Sequence, residues 1–207
     1  MTDFWLKRWN DRYSEEDYAF GVEPNTFFKA HIENLKPGKI LLGAEGEGRN
    51  AVYAARLGWE VSAFDISSEG RKKAFKLAEI NHVSLAYQVG ELPSLNYHNN
   101  QFDALALIYA HFPFSIRPKY HKLLGSYVRQ GGILILEAFD KNHLEYKLKN
   151  PKVGGPNDLE GLFSIEEIKS DFEDFEILEF EEKEIELREG AYHDGIGHVV
   201  RVIGKKR

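Results

Sequence analysis

Residues 40–65 read Ile-Leu-Leu-Gly-Ala-Glu-Gly-Glu-Gly-Arg-Asn-Ala-Val-Tyr-Ala-Ala-Arg-Leu-Gly-Trp-Glu-Val-Ser-Ala-Phe-Asp. The apolar run Ile40 to Leu42 leads into a glycine-rich turn. Ala51, Ala54, Ala55 and Leu57 then fall along one side of a helix, and a second apolar run ends on Asp65. Strand, Gly-rich loop, helix, strand and acid make one βαβ unit suited to a nucleoside. Gly46 and Gly48 let the backbone turn tightly and approach a ligand. The helix start behind them offers N–H groups and a partial positive charge to an anionic group. Asp65, at the carboxyl end of the second strand, is placed to accept hydrogen bonds from both hydroxyls of a ribose. The plainer alternative is a strand–turn–helix with an ordinary glycine cap, but the acid stands where the nucleoside-binding unit needs one.

Outward from this unit, composition narrows the partners. The 207 residues carry a formal charge of -6, which argues against a nucleic-acid partner held through phosphates. The one tight basic cluster is Gly204-Lys205-Lys206-Arg207, read as a solvated tail. With no cysteine in the chain, disulfides, thiolate metal sites and cysteine nucleophiles are excluded. The segment from Met1 to Asp17 is charged and aromatic, unlike a signal peptide. The apolar runs fall far short of the ~20 residues needed to span a bilayer. The expectation is a cytoplasmic protein without a membrane partner.

The N-terminal stretch from Phe4 to Tyr13 reads as an amphipathic helix, followed by a loop punctuated by Gly21 and Pro24. Asn25 is placed to cap a helix from Thr26 to Leu35. After Asp65, Ser67 or Ser68 caps a helix carrying Ala74, Leu77 and Ala78. A strand from Ser84 to Val89 stops at Gly90. Residues 101–110 and 133–139 are near-continuous apolar runs, as in parallel strands buried on both faces, with a helix from Pro118 to Val128 between them. Residues 140–163 are polar and read as a long loop. Ser164 and Glu167 form a capping box for a helix to about Phe172. Glu176 to Leu187 alternates acidic and apolar residues, and Val199 to Ile203 is a short strand. The result is an α/β chain with an open parallel sheet closed by an antiparallel terminal hairpin. One domain is expected over 1–207, with an N-terminal helical or lid segment (1–36), a cofactor-binding core (39–140) and a substrate-side loop, helix and hairpin (141–207).

Gly46-Glu47-Gly48-Arg49-Asn50-Ala51 also satisfies the dinucleotide pattern G-x-G-x-x-[G/A]. Three features favour S-adenosylmethionine over a nicotinamide cofactor. Glu45 and Glu47 would repel a pyrophosphate. The parallel run ends in a hairpin rather than in a second mononucleotide half. Little sequence remains for a separate substrate domain.

Residues 44–53 with 61–67 resemble the first two motifs of class I S-adenosylmethionine-dependent methyltransferases. Several other pieces are similar to a bacterial branch near the tellurite-resistance and thiopurine methyltransferases: Trp9, Arg12-Tyr13, Tyr18, Gly21 and Pro24-Asn25; Tyr109-Ala110-His111 and Arg117; Gly131-Gly132; Gly154-Gly155-Pro156; and Glu189-Gly190-Ala191-Tyr192-His193-Asp194-Gly195. One departure is Ala44, which stands where the common first motif has a glycine, with Gly43 one position earlier.

The resemblance implies a Rossmann-like, doubly wound, mostly parallel seven-stranded sheet with its last strand antiparallel. It also implies methyl transfer from S-adenosylmethionine to a small-molecule acceptor, a class that includes soft sulfur, selenium or tellurium nucleophiles. It places Ala44, Gly46 and Gly48 along the methionine part of the cofactor, where the acid Glu45 of the same loop suits a sulfonium or a methionine ammonium group. Asp65 and Ile66 fall at the ribose and adenine, Gly90, Glu91 and Leu92 at the adenine edge, and Tyr109 beside the sulfonium. Arg49 and Asn50 either cap the loop or hold the cofactor carboxylate. Tyr13, Tyr18 and Phe20 are expected as a lid that excludes water, with Tyr18 facing the site, while Trp5 and Trp9 are expected in the core. His111 and His193 are the candidate bases, Tyr192 is a substrate contact, and the spacing of the histidines matches no compact metal motif. The alternatives are a nicotinamide-dependent oxidoreductase and a cofactor-binding protein without turnover.

Overall fold

The computed structural model describes residues 3–207. Its centre is a seven-stranded sheet in the order β3-β2-β1-β4-β5-β7-β6. The strands are β1 (Lys39–Gly43), β2 (Glu60–Asp65), β3 (Ala86–Val89), β4 (Phe102–Ile108), β5 (Val128–Phe139), β6 (Phe175–Arg188) and β7 (Asp194–Lys206). Neighbours pair in parallel from β3 through to β5, whereas β7 runs antiparallel to both β5 and β6. β6 therefore shares the direction of β5, and the turn joining it to β7 emerges at the carboxyl edge of the parallel strands.

The apolar runs explain the layering. In β1, Leu41 packs with Leu105, Leu107, Leu124 and Phe172 on one face, while Ile40 and Leu42 pack with Phe28, Ile32, Ala51 and Ala54 on the other. The first face is covered by α5 (Arg117–Tyr127) and α7 (Ile165–Asp171), the second by α2 (Thr26–Ile32), α3 (Arg49–Arg56) and α4 (Ser68–Ile80). A strand buried on both faces has no polar side to alternate with, which is why these segments read as unbroken apolar runs.

Several local expectations hold. Asn25 caps α2 by accepting the Phe28 N–H, Ser67 caps α4 through the Gly70 N–H, and Ser164 and Glu167 form the capping box of α7. Others are corrected. α2 stops at Ile32 rather than at Leu35. Residues 140–163 are not one loop, because α6 (His143–Lys149) and a 3-10 turn (Pro151–Val153) lie within them. α6 has two turns and buries only His143, too little apolar surface to leave a periodic signal. β7 is longer than the predicted short strand, since Gly195 and Gly197 interrupt its apolar pattern but not its pairing with β6.

Candidate functional site

The carboxyl ends of β1, β2, β4 and β5 open into a cavity of about 420 Å³, room enough for a drug-sized ligand. It stands where strand order reverses, between β1 and β4, the usual crevice of an open α/β sheet.

The Gly-rich loop is built differently from expectation. Ala44 itself takes the left-handed conformation, with φ 52°. Gly43 does not relieve it, because Gly43 completes β1, where a Cβ would come within 2.9 Å of Leu107 Cδ2. Gly46 donates its N–H to Asp65 Oδ2 (3.1 Å), and a Cβ there would lie 2.6 Å from Tyr13 Oη. At Gly48, φ is 87° and a Cβ would lie 2.6 Å from that of Ala74 on α4. Neither Gly46 nor Gly48 lines the cavity; one admits Tyr13 and the other lets two helices touch. The start of α3 is not open to a ligand anion either. Glu45 Oε1 accepts the Ala51 N–H at 2.7 Å, so the helix is capped by the loop's own carboxylate. Burial pushes that carboxyl up to about 7, against the pull of the Ala51 N–H and Arg49. Glu47 is turned to Lys73 (2.8 Å) and to the Ala19 N–H (2.8 Å), binding the loop to α4 and the N-terminal segment.

Asp65 lines the cavity at the end of β2. Its Oδ1 accepts the Ser67 N–H at 2.8 Å, which leaves each oxygen a further lone pair. Burial raises its pKa to about 6, and the N–H bonds oppose that rise. Ile66, Gly90 and Leu92 line the cavity alongside it. Glu91 is outside the lining, and its carbonyl accepts the Ser94 hydroxyl. Tyr109, just past β4, has φ 53°. Its ring sits 4.6 Å from Phe139, and its buried hydroxyl has no hydrogen-bond partner among the described residues.

The two candidate bases part company. His111 Nδ1 meets the Gly161 carbonyl at 2.9 Å, and Nε2 accepts the Phe139 N–H at 3.3 Å. Both ring nitrogens are occupied, and burial drives the pKa down to about 3. His111 therefore fastens the loop at Gly161 to β5 and has no nitrogen left to take a proton from a substrate. His193, in the turn after β6, keeps one free. Its Nδ1 meets Glu189 Oε2 at 2.9 Å, its ring lies against Tyr109 and Phe20, and burial lowers its pKa. With Nδ1–H donated to the carboxylate, the Nε2 lone pair remains.

Glu189 was not singled out from sequence, yet it organises this corner. It accepts from Asn25 Nδ2 (3.1 Å) and His193, and pairs with Arg49 Nη2 at 3.1 Å. Burial works to raise its pKa, but Arg49 and His193 hold it down at about 2. Arg49 also donates to the Phe20 carbonyl, so it is spent within the protein and not available to a cofactor carboxylate. Asn50 Oδ1 accepts the Asn25 N–H (2.9 Å), and Asn25 Nδ2 also reaches Glu137 Oε1 at 2.6 Å, whose other oxygen takes Arg201 Nε at 2.5 Å. A buried polar network thus joins α2, α3, β5, β7 and the hairpin turn behind the cavity.

The N-terminal helix α1 (Asp3–Tyr13) lines the same cavity. Tyr13 is buried and stacks on Trp9 at 5.4 Å. Trp5 and Trp9 do not join the core as expected. They are half-buried on the cavity wall, because α1 lays its aromatic side over the cavity rather than on the sheet; the core tryptophan is Trp59. Tyr18 does not face the site, since it packs against Val52 and Leu77 and donates to the Lys73 carbonyl. Tyr192 does line the cavity and donates to Glu15 Oε1 at 3.1 Å. Among the described residues no group of three His, Asp or Glu side chains is arranged to hold a metal ion, and no helix is long and apolar enough to cross a membrane.

Against this geometry, residues 40–132 match a family model described as a methyltransferase domain. A comparison with curated proteins finds no match. Solved structures share the fold. A protein described by the conversion of a disulfide bond into a thioacetal group during echinomycin biosynthesis superposes with TM-score 0.79 at 17% identity, over 100% of this chain and 91% of its own. TehB from Haemophilus influenzae gives TM-score 0.70 at 17% identity, over 98% and 67%. Magnesium protoporphyrin IX methyltransferase (ChlM) from Synechocystis PCC 6803, with bound SAH, gives 0.67 at 14% identity, over 99% and 95%. Residues 40–132 thus match a methyltransferase domain, and the whole chain has the seven-stranded fold of these solved structures.

Proposed function

We propose that the protein transfers a methyl group from S-adenosylmethionine to a small-molecule acceptor. The observation that carries this reading is the pairing of Asp65 with a loop whose own Glu45 fills the start of α3. A ribose has its carboxylate, but a pyrophosphate has no helix N-terminus to rest on, which weighs against a dinucleotide. Asp65 would hold the ribose, Ile66, Gly90 and Leu92 would flank the adenine, and Ala44 and Tyr109 would border the sulfonium end. The bound cofactor supplies an already activated methyl group, so the protein's work is to orient the acceptor, exclude water and take a proton where the acceptor carries one. His193 takes that proton at Nε2, while Glu189 fixes its tautomer and balances the resulting charge. A soft sulfur, selenium or tellurium acceptor needs this base least, and the neighbour that acts on a disulfide shows sulfur chemistry on the same fold. Calorimetry with S-adenosylmethionine, S-adenosylhomocysteine and NADH tests the cofactor. Binding of NADH alone would refute the reading. Release of label from methyl-labelled cofactor onto thiols, chalcogen oxyanions, amines or acids tests turnover, and its failure with every acceptor class would leave a binding protein.

A further inference from the structure

Cations gather on one wall of the cavity. Glu45, Glu47 and Asp65 lie by the carboxyl ends of β1 and β2, whereas Arg8 and Arg12 on α1 and Lys147 on α6 line the wall that those two helices build, with Asp158 and Glu160 also in the lining. The other arginine of the lining, Arg49, is neutralised by Glu189. The guanidinium of Arg8 lies 5.2 Å from the Trp5 ring and 5.7 Å from Trp9, and that of Arg12 lies 5.2 Å from Trp9 and 4.0 Å from Tyr192. Lys147 Nζ donates to the Gly155 carbonyl. Among the described residues none of the three forms an ion pair with a carboxylate, although Lys7 on the outer side of α1 has found Asp11. Burial lowers the pKa of Lys147, and Arg8 and Arg12 lower it further against a smaller opposing pull from Asp158, so the three cations feel one another. Like charges gathered on a cavity wall repel, and an anion entering the cavity relieves that repulsion. Position along α1 separates their duties. Tyr13 touches the Gly46 loop, and at ~1.5 Å per residue Arg8 lies about 7.5 Å further along the axis. Arg12 is thus the nearer to the nucleoside, with Arg8 and Trp5 beyond it.

We propose that Arg8 and Lys147 recognise the carboxylate of a planar aromatic acid, the methyl acceptor, whose ring lies against Trp5 and Trp9. The proposal rests on the methyl-transfer reading above and adds its substrate class. Indole faces suit a flat ring, and an anion held at the far end directs the rest of the molecule inward, toward Tyr109 and His193. The other carboxylate that this wall could serve is that of the cofactor's own methionine, and the experiment separates the two.

The full-length protein, saturated with S-adenosylhomocysteine, is titrated calorimetrically with 2-naphthoate and with 2-naphthamide. The acid is expected to bind at least tenfold more tightly than the amide. Arg8→Gln and Lys147→Met are each expected to remove at least fivefold of the acid's affinity, leave the amide's affinity in place and leave S-adenosylhomocysteine binding intact. Equal binding of acid and amide, or no binding of either, overturns the proposal while the methyl-transfer reading stands. Loss of S-adenosylhomocysteine binding in Arg8→Gln, with 5′-methylthioadenosine still bound, overturns it too, because the anion served is then the cofactor's. Failure of the unaltered protein to bind S-adenosylhomocysteine overturns the methyl-transfer reading and this proposal with it.

Discussion

Glu189→Gln replaces a buried carboxylate by a neutral group of the same shape, and the structure sets the cost. The carboxylate is paired with Arg49 at 3.1 Å, where the two side chains are 14% and 9% exposed, so solvent screens the pair only weakly. In the unfolded chain the Glu189 carboxyl titrates near the ordinary glutamate value of 4.5, and in the folded protein at about 2. At roughly 1.4 kcal/mol per pH unit, that depression is worth about 3 kcal/mol of stability. A depressed carboxyl gives its full contribution above the unfolded value and loses it as pH falls through the folded one. The variant is therefore expected to be about 3 kcal/mol less stable at pH 7, by urea unfolding followed by circular dichroism. The gap between the two proteins should hold down to about pH 4.5 and close toward pH 2. A glutamine keeps one oxygen, which can accept from Asn25 at the Oε1 position or from His193 at the Oε2 position but not from both, so the charge opposite Arg49 is lost together with one of these bonds. Equal stability at pH 7, or a gap that does not change between pH 7 and pH 3, would refute the assignment of Glu189 as the counter-ion of this corner.

Further outcomes follow from the same geometry. Asp65→Ala should weaken S-adenosylhomocysteine by roughly 100-fold or more in calorimetry, since two hydrogen bonds to a carboxylate are worth at least ~3 kcal/mol. The affinity of the unaltered protein should fall as pH drops below about 6, where Asp65 takes up its proton. His193→Gln should cut kcat about 100-fold or more on an acceptor that must lose a proton. For the unaltered enzyme the acidic limb of the rate profile should lie below the ordinary histidine value of 6.5, because the base is neutral above its lowered pKa. Gly48→Ala drives a Cβ to within 2.6 Å of Ala74 and should lower stability by about 1–3 kcal/mol in urea unfolding. Ala44→Gly relieves a left-handed alanine and should raise stability by about 0.5–1 kcal/mol, since strain of ~1–2 kcal/mol is offset by the entropy of the added glycine.

The parts of the fold readable in advance are those whose reasons are local. The βαβ unit at 40–65 declares itself because buried parallel strands must be apolar throughout, and the starts of α2, α4 and α7 because Asn25, Ser67 and Ser164 each cap with their own side chain. α6 leaves no such mark: it is short, is held by tertiary contacts and exposes Leu148. The tryptophans of α1 mislead for a related reason. Their spacing shows an apolar side but not what that side faces, and here it faces a cavity. Tyr18 fails in the same way, its hydroxyl satisfied by a carbonyl 55 residues away.

Within the site, the difference between His111 and His193 shows what sequence leaves out. Both follow strands at the carboxyl edge, and both sit among aromatic rings. What separates them is the partner set. His111 is bonded at both nitrogens to backbone, from Gly161 and Phe139, which lie 50 and 28 residues away in the chain. His193 is bonded at one nitrogen, to a carboxylate four residues before it. That short spacing, Glu189 to His193, was the one legible signal. A carboxylate that close in a tight turn can orient a ring, and a carboxylate–imidazole pair is the arrangement that leaves a basic nitrogen pointing outward. Arg49 completes the argument, since without it a second negative charge would not stay ionised at this depth. Arg49, directly after the Gly-rich loop, thus holds the charge of Glu189 in the hairpin turn, and Glu189 in turn orients the His193 ring. The segment read from sequence as holding a ligand also fixes the charge of the residue that positions His193.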